Sequence, residues 1–335
     1  MLRSAASLDG IVPLRAVLLN KRSSGPQLAA ACEELHRLFS TSTSAAARAV
    51  TTTSAVDAGG AVALSPSLAA GCLLDSVRTA AFVRGVHGAL QEVRRRFPSD
   101  VIEVVYAGTG PFAPFALITA LGAPPGRLRW TLLDIHEESI VSVRSLLRRY
   151  RLESFIRAVK ADATTYVHDR AIHVVVSETM QRTLWGEPQV AIFRNLREQM
   201  APGGVTVPEE VTIDLAMIAA DDEEARWRGE EIAARSIAVG RVFHLGTEDD
   251  KPNHSDHATI LTLVPFMASA PYWAALFTRI RIFGDEILDA YDSGLTVPEI
   301  LWSISPITRA TTLEFRYETE GIPRLMWREI DNPAA

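Results

Sequence analysis

The feature that most constrains the fold is an alternation of strand-like and helix-like runs between Val101 and Met200. Short apolar runs typical of buried strands are separated by segments in which apolar residues recur at helical spacing. Parallel strands need a crossover between them, so this pattern favours a parallel sheet covered by helices on both faces. The predicted strands are VIEVVY, WTLLD, FIRAV and AIHVVVSE, and the predicted helices are EESIVSVRSLLRRY and roughly Gln189 to Met200.

The stretch from Ser40 to Ser65 is the clearest boundary along the chain. Serine, threonine, alanine and glycine dominate it, and no apolar period survives there, which is typical of a linker. Residues 1–65 are therefore predicted to form an N-terminal extension with a helical piece near Gln27 to Leu38, followed by this linker.

Two further domains are predicted beyond the linker. Residues 66–207 are expected to contain one long helix from Pro66 to Phe97 and then the parallel sheet, with the last helix stopping at the sequence APGG. Residues 208–335 contain strand-like runs broken by an acidic helical insert, which indicates a second, largely antiparallel domain. These runs are VTIDLAMI, ILTLVPF, YWAALFTRIRIF and TLEFRYE.

The composition argues against nucleic acid, membrane and metal partners. With 47% hydrophobic and 22% charged residues the chain is ordinary globular protein, and its net charge of -6 is unlike the basic surface that phosphate backbones attract. No apolar run approaches the roughly 18 to 20 residues needed to cross a bilayer. Two cysteines, Cys32 and Cys72, lie in apolar stretches and suggest buried thiols in a reducing compartment. We expect a cytoplasmic protein without a metal cluster.

Three features at successive strand ends point to one adenosine-type ligand. The first strand runs into Gly108-Thr109-Gly110, where backbone N–H groups are expected to approach a ligand. The second strand ends in Asp134, a carboxylate suited to ribose hydroxyls, and the third is followed by Asp162 and Ala163. The alternative interpretations make Asp134 a helix N-cap and Asp162 a turn residue. The spacing G-x-G-x-x-G is missing, and no lysine follows the glycines, which argues against nicotinamide and P-loop sites.

The fourth strand ends in a second candidate feature, a pair of glutamates. Glu178 directly follows the apolar run VVVS, and Glu187 lies nine positions later. Two carboxylates at a ligand-binding sheet edge can hold a cation, and Met180 and Trp185 between them are candidates for the walls of such a site. The alternative is that Glu178 caps a strand end and Glu187 opens the following helix, where an acid is favourable.

These residues resemble class I S-adenosylmethionine-dependent methyltransferases, and more narrowly the protein arginine methyltransferase family. The resemblance spans roughly Leu68 to Val211 and rests on LLDSVRTAAFVRGV, the glycine loop and VVVSETMQRTLWGEP. It implies an α/β fold in which a Rossmann-like methyltransferase sheet is followed by a β-barrel-like C-terminal domain. The implied roles are binding of the methionine carboxylate by Arg78, cofactor binding by the glycine loop and Asp134, and substrate binding by Glu178 and Glu187.

Several positions depart from the family pattern. Tyr106 stands where the family has its first loop glycine, and Glu103 is one residue out of phase with the usual strand acid. The usual aspartate opening the fourth strand is His173, and no Thr-His-Trp sequence occurs near the C-terminus. The nearest histidines are His254 and His257, and solvated loop residues are the simpler interpretation of both.

The resemblance implies S-adenosylmethionine as cofactor and a guanidino group as acceptor. The departures favour free L-arginine, giving N-methyl-L-arginine for natural product biosynthesis, with an arginine-containing protein as the alternative partner. The acidic insert lies where family members carry a dimerisation arm, so a homodimer is expected. Two rivals stay open: an N- or O-methyltransferase of the same fold with another acceptor, and a catalytically silent binding module.

Overall fold

The computed structural model describes residues 10–42, 56–58, 61–120, 127–231, 235–246, 258–265 and 271–331. Within them the helices are α1 (Ile11–Leu19), α2 (Gly25–Ser42), α3 (Pro66–Gly71), α4 (Ser76–Arg96), α5 (Pro114–Ala120), α6 (Glu137–Tyr150), α7 (Gln189–Arg197) and α8 (Ala220–Trp227). The strands are β1 (Val56–Ala58), β2 (Ala61–Ala63), β3 (Ile102–Ala107), β4 (Leu128–Asp134), β5 (Ile156–Lys160), β6 (Ile172–Ser177), β7 (Met200–Val207), β8 (Glu210–Ala219), β9 (Ser236–Gly246), β10 (Thr259–Leu263), β11 (Tyr272–Phe283), β12 (Glu286–Leu288), β13 (Glu299–Ile300), β14 (Thr311–Glu318) and β15 (Arg324–Ile330).

The chain divides into two compact units. The first unit comprises Met1–Met180, Glu187–Glu209 and Arg281–Leu288. The second comprises Gln181–Gly186, Glu210–Ile280 and Asp289–Ala335.

The first unit is built on a parallel sheet, as the alternating pattern predicts. Among the described residues its strands lie in the order β5-β4-β3-β6-β7, and every neighbouring pair is parallel. The chain leaves β3 toward β4 on one side, whereas β6 lies on the other side of β3. Such a reversal opens a crevice at the carboxyl ends of the two central strands, where ligands of open α/β sheets bind.

Burial and helix ends explain why these elements form where they do. Every residue of β3 and β6 is buried, as expected for central parallel strands covered on both faces. Ile192 and Leu196 of α7 pack on one face against Val105 and Val175. Helix α6 spans the predicted residues, with acids in its first turn and arginines in its last, the arrangement that complements the helix dipole.

Two predictions about this unit are wrong. The long helix from Pro66 to Phe97 is interrupted by a 3₁₀ turn at Cys72–Leu74, and α4 begins anew because the Asp75 side chain accepts a bond from the Arg78 N–H at 3.2 Å. The APGG sequence is not a helix stop but part of β7, where Gly203 has φ of +86° and the pairing with β6 shifts register.

The N-terminal helices belong to this first unit. Both α1 and α2 pack against α4. The Glu286 carboxylate forms salt bridges with Arg84 at 2.6 Å and Lys21 at 2.8 Å. Most of the predicted linker from Ser40 to Ser65 lies outside the described residues, apart from the end of α2 and the antiparallel β1–β2 pair. In the described part, none of the helices combines the length and the apolar character that a bilayer crossing requires.

The second unit is antiparallel, as predicted for the C-terminal part. Strands β11, β8 and β9 are neighbours in one sheet, and β10, β14 and β15 form another. Ile218, Trp273 and Ala275 form a buried cluster. The acidic insert is shorter than predicted, since α8 ends at Trp227 and Ser236 already begins a strand.

Candidate active site

A cavity of about 970 Å³, measured with its open mouth, lies in the first unit at the carboxyl ends of the parallel strands. The site residues predicted from sequence that line it are Arg78, Gly108, Thr109, Gly110, Asp134, Asp162, Ala163, Glu178, Met180 and Glu187. Trp185, the remaining one, belongs to the second unit and is 48% exposed.

The glycine loop after β3 is close-packed. Gly108 and Gly110 have φ of +72° and +58°, a region that favours glycine. A Cβ at position 108 would collide with Cγ2 of Thr179, which follows β6, and a Cβ at 110 would lie 3.2 Å from the Ala69 side chain. Both glycines are therefore required by conformation and by space.

The amides of this loop have protein partners, contrary to the sequence prediction. Leu133 O accepts bonds from Gly108 N at 2.9 Å and Thr109 N at 3.3 Å. Gly110 N donates to Asp134 Oδ2 at 2.8 Å. The loop consequently contributes a tight surface and not free N–H donors.

Asp134 is buried beneath the cavity and held by backbone. Besides Gly110 N, its carboxylate accepts a bond from His136 N at 2.9 Å, and His136 Nδ1 lies 3.2 Å from Oδ1. It is not the N-cap of α6, because His136 occupies that position without a side-chain bond. Each carboxylate oxygen has two lone pairs, so Asp134 keeps acceptor capacity for a ligand hydroxyl.

Two other residues of this wall behave differently from expectation. Asp162 closes a local turn by accepting bonds from Thr164 N at 2.9 Å and Thr164 Oγ1 at 2.7 Å, while also lining the cavity. His136, which sequence reasoning missed, lines the cavity as well, and its buried Nε2 has no hydrogen-bond partner among the described residues. Its position two residues after the strand acid was the available signal.

The opposite wall carries two acids and one cation. Arg78 Nη1 lies 3.3 Å from Glu178 Oε1, and Arg78 Nη2 donates to the Cys72 carbonyl at 3.0 Å. Arg78 Nε is buried and lacks a partner in the described part of the chain. Within the same residue ranges, Glu187 has no ion pair.

Burial and neighbouring charges raise the pKa values of all three groups. Burial raises the pKa of Glu178, although the Arg78 charge opposes this. Burial, with the Glu178 charge next, raises the pKa of Glu187 to about 8. For Arg78, burial acts to lower the pKa, but the charges of Glu178 and Asp75 together with Cys72 oppose it, and the pKa is raised. The wall therefore holds more acid than its one arginine neutralises.

A buried glutamine, Gln189, holds the segment that carries Glu178. Its Oε1 accepts bonds from Thr179 N at 3.1 Å, Thr179 Oγ1 at 2.8 Å and Ser177 Oγ at 3.0 Å, and its Nε2 donates to Ser177 O. Sequence reasoning missed this residue, since a glutamine at the start of a helix has no distinctive spacing.

Glu103 lies at the other end of β3 and does not line the cavity. Its carboxylate pairs with Arg170 at 2.9 Å and Arg129 at 3.2 Å, and its backbone N–H donates to His173 Nδ1. Tyr106, in place of a loop glycine, is buried and does line the cavity.

The described residues contain no candidate metal-binding cluster. Across the ranges given above, no group of three or more His, Cys, Asp and Glu residues is arranged to hold a metal ion. His254 and His257 lie outside the described residues.

Comparison with solved structures reveals the same architecture elsewhere. The chain is similar to a Trypanosoma brucei PRMT1 enzyme–prozyme heterotetrameric complex with AdoHcy, with TM-score 0.55, 12% identity, and coverage of 79% of this chain and 93% of that one. It is also similar to protein arginine methyltransferase 10 of Arabidopsis thaliana in an open conformation, with TM-score 0.52, 12% identity, and coverage of 77% and 95%. No protein-family model and no curated protein sequence matches the chain significantly.

The chain therefore shares its fold with these two solved methyltransferase structures. A Rossmann-like parallel sheet precedes a β-barrel-like antiparallel part, which confirms the fold class predicted from the sequence. At 12% identity this similarity concerns the fold alone.

Proposed function

We propose that the chain is an S-adenosylmethionine-dependent N-methyltransferase acting on a guanidino group, most specifically that of free L-arginine. The observation that carries the proposal is the convergence of Glu178 and Glu187 on the cavity that also holds the glycine loop, Asp134 and Arg78. Two under-neutralised carboxylates beside a nucleoside-type site suit a cationic acceptor.

The cavity fits the cofactor. The partnerless Nε of Arg78 is a buried donor suited to a carboxylate, and Gly108 and Gly110 line the same cavity. Asp134 retains lone pairs for ribose hydroxyls. When bound, S-adenosylmethionine would supply a methyl group on a positively charged sulfur, held by these residues.

The two glutamates would bind and orient the acceptor. A guanidinium is a poor nucleophile because it stays protonated, with a pKa above about 12, and its charge is spread over three nitrogens. Charge-assisted bonds from Glu178 and Glu187 would fix its plane and draw positive charge toward the nitrogens they contact. Holding reactants in a near-attack arrangement is worth up to about 7 to 11 kcal/mol in well-oriented systems.

Glu187 is also suited to a proton transfer. Methylation replaces an N–H hydrogen of the guanidinium, so one proton must leave the acceptor. With a pKa of about 8, Glu187 is mostly protonated near pH 7 in the ligand-free protein, and it becomes able to accept that proton once the bound cation has displaced its own. Glu178, paired with Arg78, would keep its role as an orienting anion.

The direct test is methyl transfer from labelled S-adenosylmethionine to free arginine, to an arginine-rich peptide and to a metabolite extract, with products identified by mass spectrometry. N-methylarginine as the main product supports the proposal. Binding without turnover on any acceptor would identify a silent module, and a methylated amine or hydroxyl product would identify a different acceptor.

Protein arginine is the second candidate, because both structural neighbours are named as protein arginine methyltransferases. Arginine-rich tails would need an acidic surface, but most acidic side chains of α8 already pair with other residues of this chain. Arg235 pairs with Asp221 at 2.7 Å and Asp222 at 2.8 Å, and Glu223 is buried and accepts the Tyr291 hydroxyl. This favours a small acceptor at the cavity over docking on that cluster.

We further propose a cytoplasmic homodimer that serves a biosynthetic pathway. Sedimentation velocity of the full chain measures the oligomeric state, and a monomer at micromolar concentration would remove that part of the proposal.

A further inference from the structure

Helix α2 presents one continuous buried face to the first unit. Its buried positions recur at helical spacing, as expected for a helix packed along its whole length. They are Leu28, Ala31, Cys32, Leu35, Phe39 and Ser42. Helix α2, the helical piece of the predicted N-terminal extension, is therefore packed into the unit that contains the cavity.

The glycine loop, taken from here on as Gly108 to Ala113, contains a residue with a side chain in a strained backbone conformation. Ala113 has φ of +42° and is fully buried, and positive φ is uncommon for a residue with a Cβ. Such conformations persist only where the surroundings hold them. Two bonds within the segment are Ala113 N to Thr109 O at 3.1 Å and Leu117 N to Ala113 O at 3.0 Å.

Helix α2 packs against this loop through Phe112. The ring of Phe112, next to Ala113, makes an edge contact with His36 at 5.4 Å between centroids and a tilted contact with Phe39 at 5.8 Å. Phe112 is 6% exposed, and these two side chains are among the groups packed around it. The aromatic contacts secure the residue immediately before the strained position.

The same helix also contacts two segments that adjoin cofactor-site residues in the chain. It packs against the 3₁₀ turn Cys72–Leu74, which precedes Arg78. Phe39 also contacts Tyr150 of α6 at 6.4 Å, and the Ser42 and Tyr150 hydroxyls are 3.5 Å apart. Tyr150 is the last residue of α6, the helix that begins just after Asp134 and His136.

We propose that α2 is a positioning element of the cofactor site, in which His36 and Phe39 hold the strained glycine loop through Phe112. The name cofactor site rests on the function proposed above. On this view the N-terminal extension belongs to the binding machinery and sets cofactor affinity without touching the cofactor.

The test compares full-length variants by calorimetric binding of S-adenosylhomocysteine, which needs no turnover. Phe39→Leu is expected to weaken binding about tenfold and His36→Ala about threefold, with the acceptor KM unchanged. The matched control is Arg37→Ala on the exposed face of the same helix, where only a surface pair with Glu34 is lost, and binding should stay within about twofold.

A rescue variant separates positioning from general destabilisation. Ala113→Gly relieves the strained φ, so in the Phe39→Leu background it should recover a substantial part of the lost affinity. Additive losses in the double variant would overturn the proposal, as would wild-type affinity in both Phe39→Leu and His36→Ala.

Hydrogen exchange tests the support without any ligand. The amides of Gly108, Thr109, Gly110 and Ala113 are bonded internally, so their exchange reports opening of the loop. Phe39→Leu should accelerate exchange there by at least about threefold, and Arg37→Ala should not. Unchanged exchange overturns the proposal. If wild-type protein binds no S-adenosylhomocysteine, the proposed function fails, while this measurement still decides the role of α2.

Discussion

Carboxylates are buried at both ends of the central strands, but the two ends differ in how many cations are paired with them. At the amino end, Glu103 is 6% exposed and receives two guanidinium groups, from Arg170 and Arg129. At the carboxyl end, the one buried cation, Arg78, pairs with Glu178 alone, and the pKa of Glu187 is raised to about 8 by burial and by its neighbour's charge.

This difference separates an acid used for structure from acids kept for a ligand. A buried charge without compensation is costly, so a fold retains it only where something else repays the cost. At the amino end the negative charge of Glu103 is neutralised by arginines, whereas the carboxyl end lacks a positive charge that a guanidinium would supply.

The largest effect is expected from neutralising the carboxyl-end acids. Glu178→Gln or Glu187→Gln should lower methyl transfer to arginine by at least about 100-fold, because an orienting charge present in the transition state is lost. Cofactor affinity should stay nearly unchanged. Turnover with labelled cofactor and calorimetry measure the two quantities, and retained turnover in either variant contradicts the guanidine assignment.

A smaller effect, on cofactor affinity, is expected from the residues proposed to bind the cofactor. Arg78→Ala or Asp134→Ala should weaken S-adenosylhomocysteine binding about tenfold or more, since each removes a charge-assisted partner. Calorimetry of both variants checks this. An unchanged dissociation constant would refute the assignment of the altered residue. Arg78→Lys is the matched control for Arg78, because it keeps the charge but not the fork of donors.

The raised pKa of Glu187 predicts a dependence of stability on pH. The folded, ligand-free protein holds this proton more tightly than the unfolded chain, so the stabilisation is complete below pH 4.5 and is lost as pH rises toward 8. The free energy of unfolding should fall by at most about 1.4 kcal/mol per pH unit in that window. Urea melts across the window should show a flatter profile for Glu187→Gln, and identical profiles would contradict the assignment.

The same group predicts that acceptor binding is linked to a proton. Arginine binding near pH 7 should release protons, since a cation favours the charged form of Glu187. Calorimetry in buffers of different ionisation enthalpy measures this release. No release near pH 7 would mean that the carboxyl end is already charged.

The smallest effect on methyl transfer is expected at the amino end. Glu103→Gln should leave kcat/KM within about twofold, yet destabilise the protein by about 1 to 2 kcal/mol because two half-exposed arginines lose their anion. Denaturant unfolding alongside kinetics checks both halves. A large kinetic loss would show that the two ends are not independent.

Much of the parallel sheet was predictable because buried strands and capped helices leave strong local patterns. Helix α6 was predicted to the residue, since acids open it and arginines close it. The break before α4 was missed because Asp75, its capping residue, sits inside a pattern that is otherwise helical. Strand β7 was misjudged because Pro-Gly-Gly is typical of a stop, whereas here the glycines lie at a shift in pairing register.

The candidate site was predictable where strand ends place residues at a common edge. That logic identified the glycine loop, Asp134 and Glu178, all of which line the cavity. It could not identify Gln189 or His136, whose importance depends on hydrogen bonds made across the fold. It also assigned free amides to the glycine loop, because the partner, Leu133 O, comes from an adjacent strand.

Cys72 gives the protein a built-in reporter of occupancy. It lines the cavity beside Arg78, while the other cysteine, Cys32, is fully buried in α2. Burial raises the pKa of the Cys72 thiol, so its labelling by a maleimide will be slow at neutral pH and faster in alkaline buffer. A molecule that fills the cavity should slow that labelling further, and thiol footprinting thus offers a way to screen ligands before any acceptor is known.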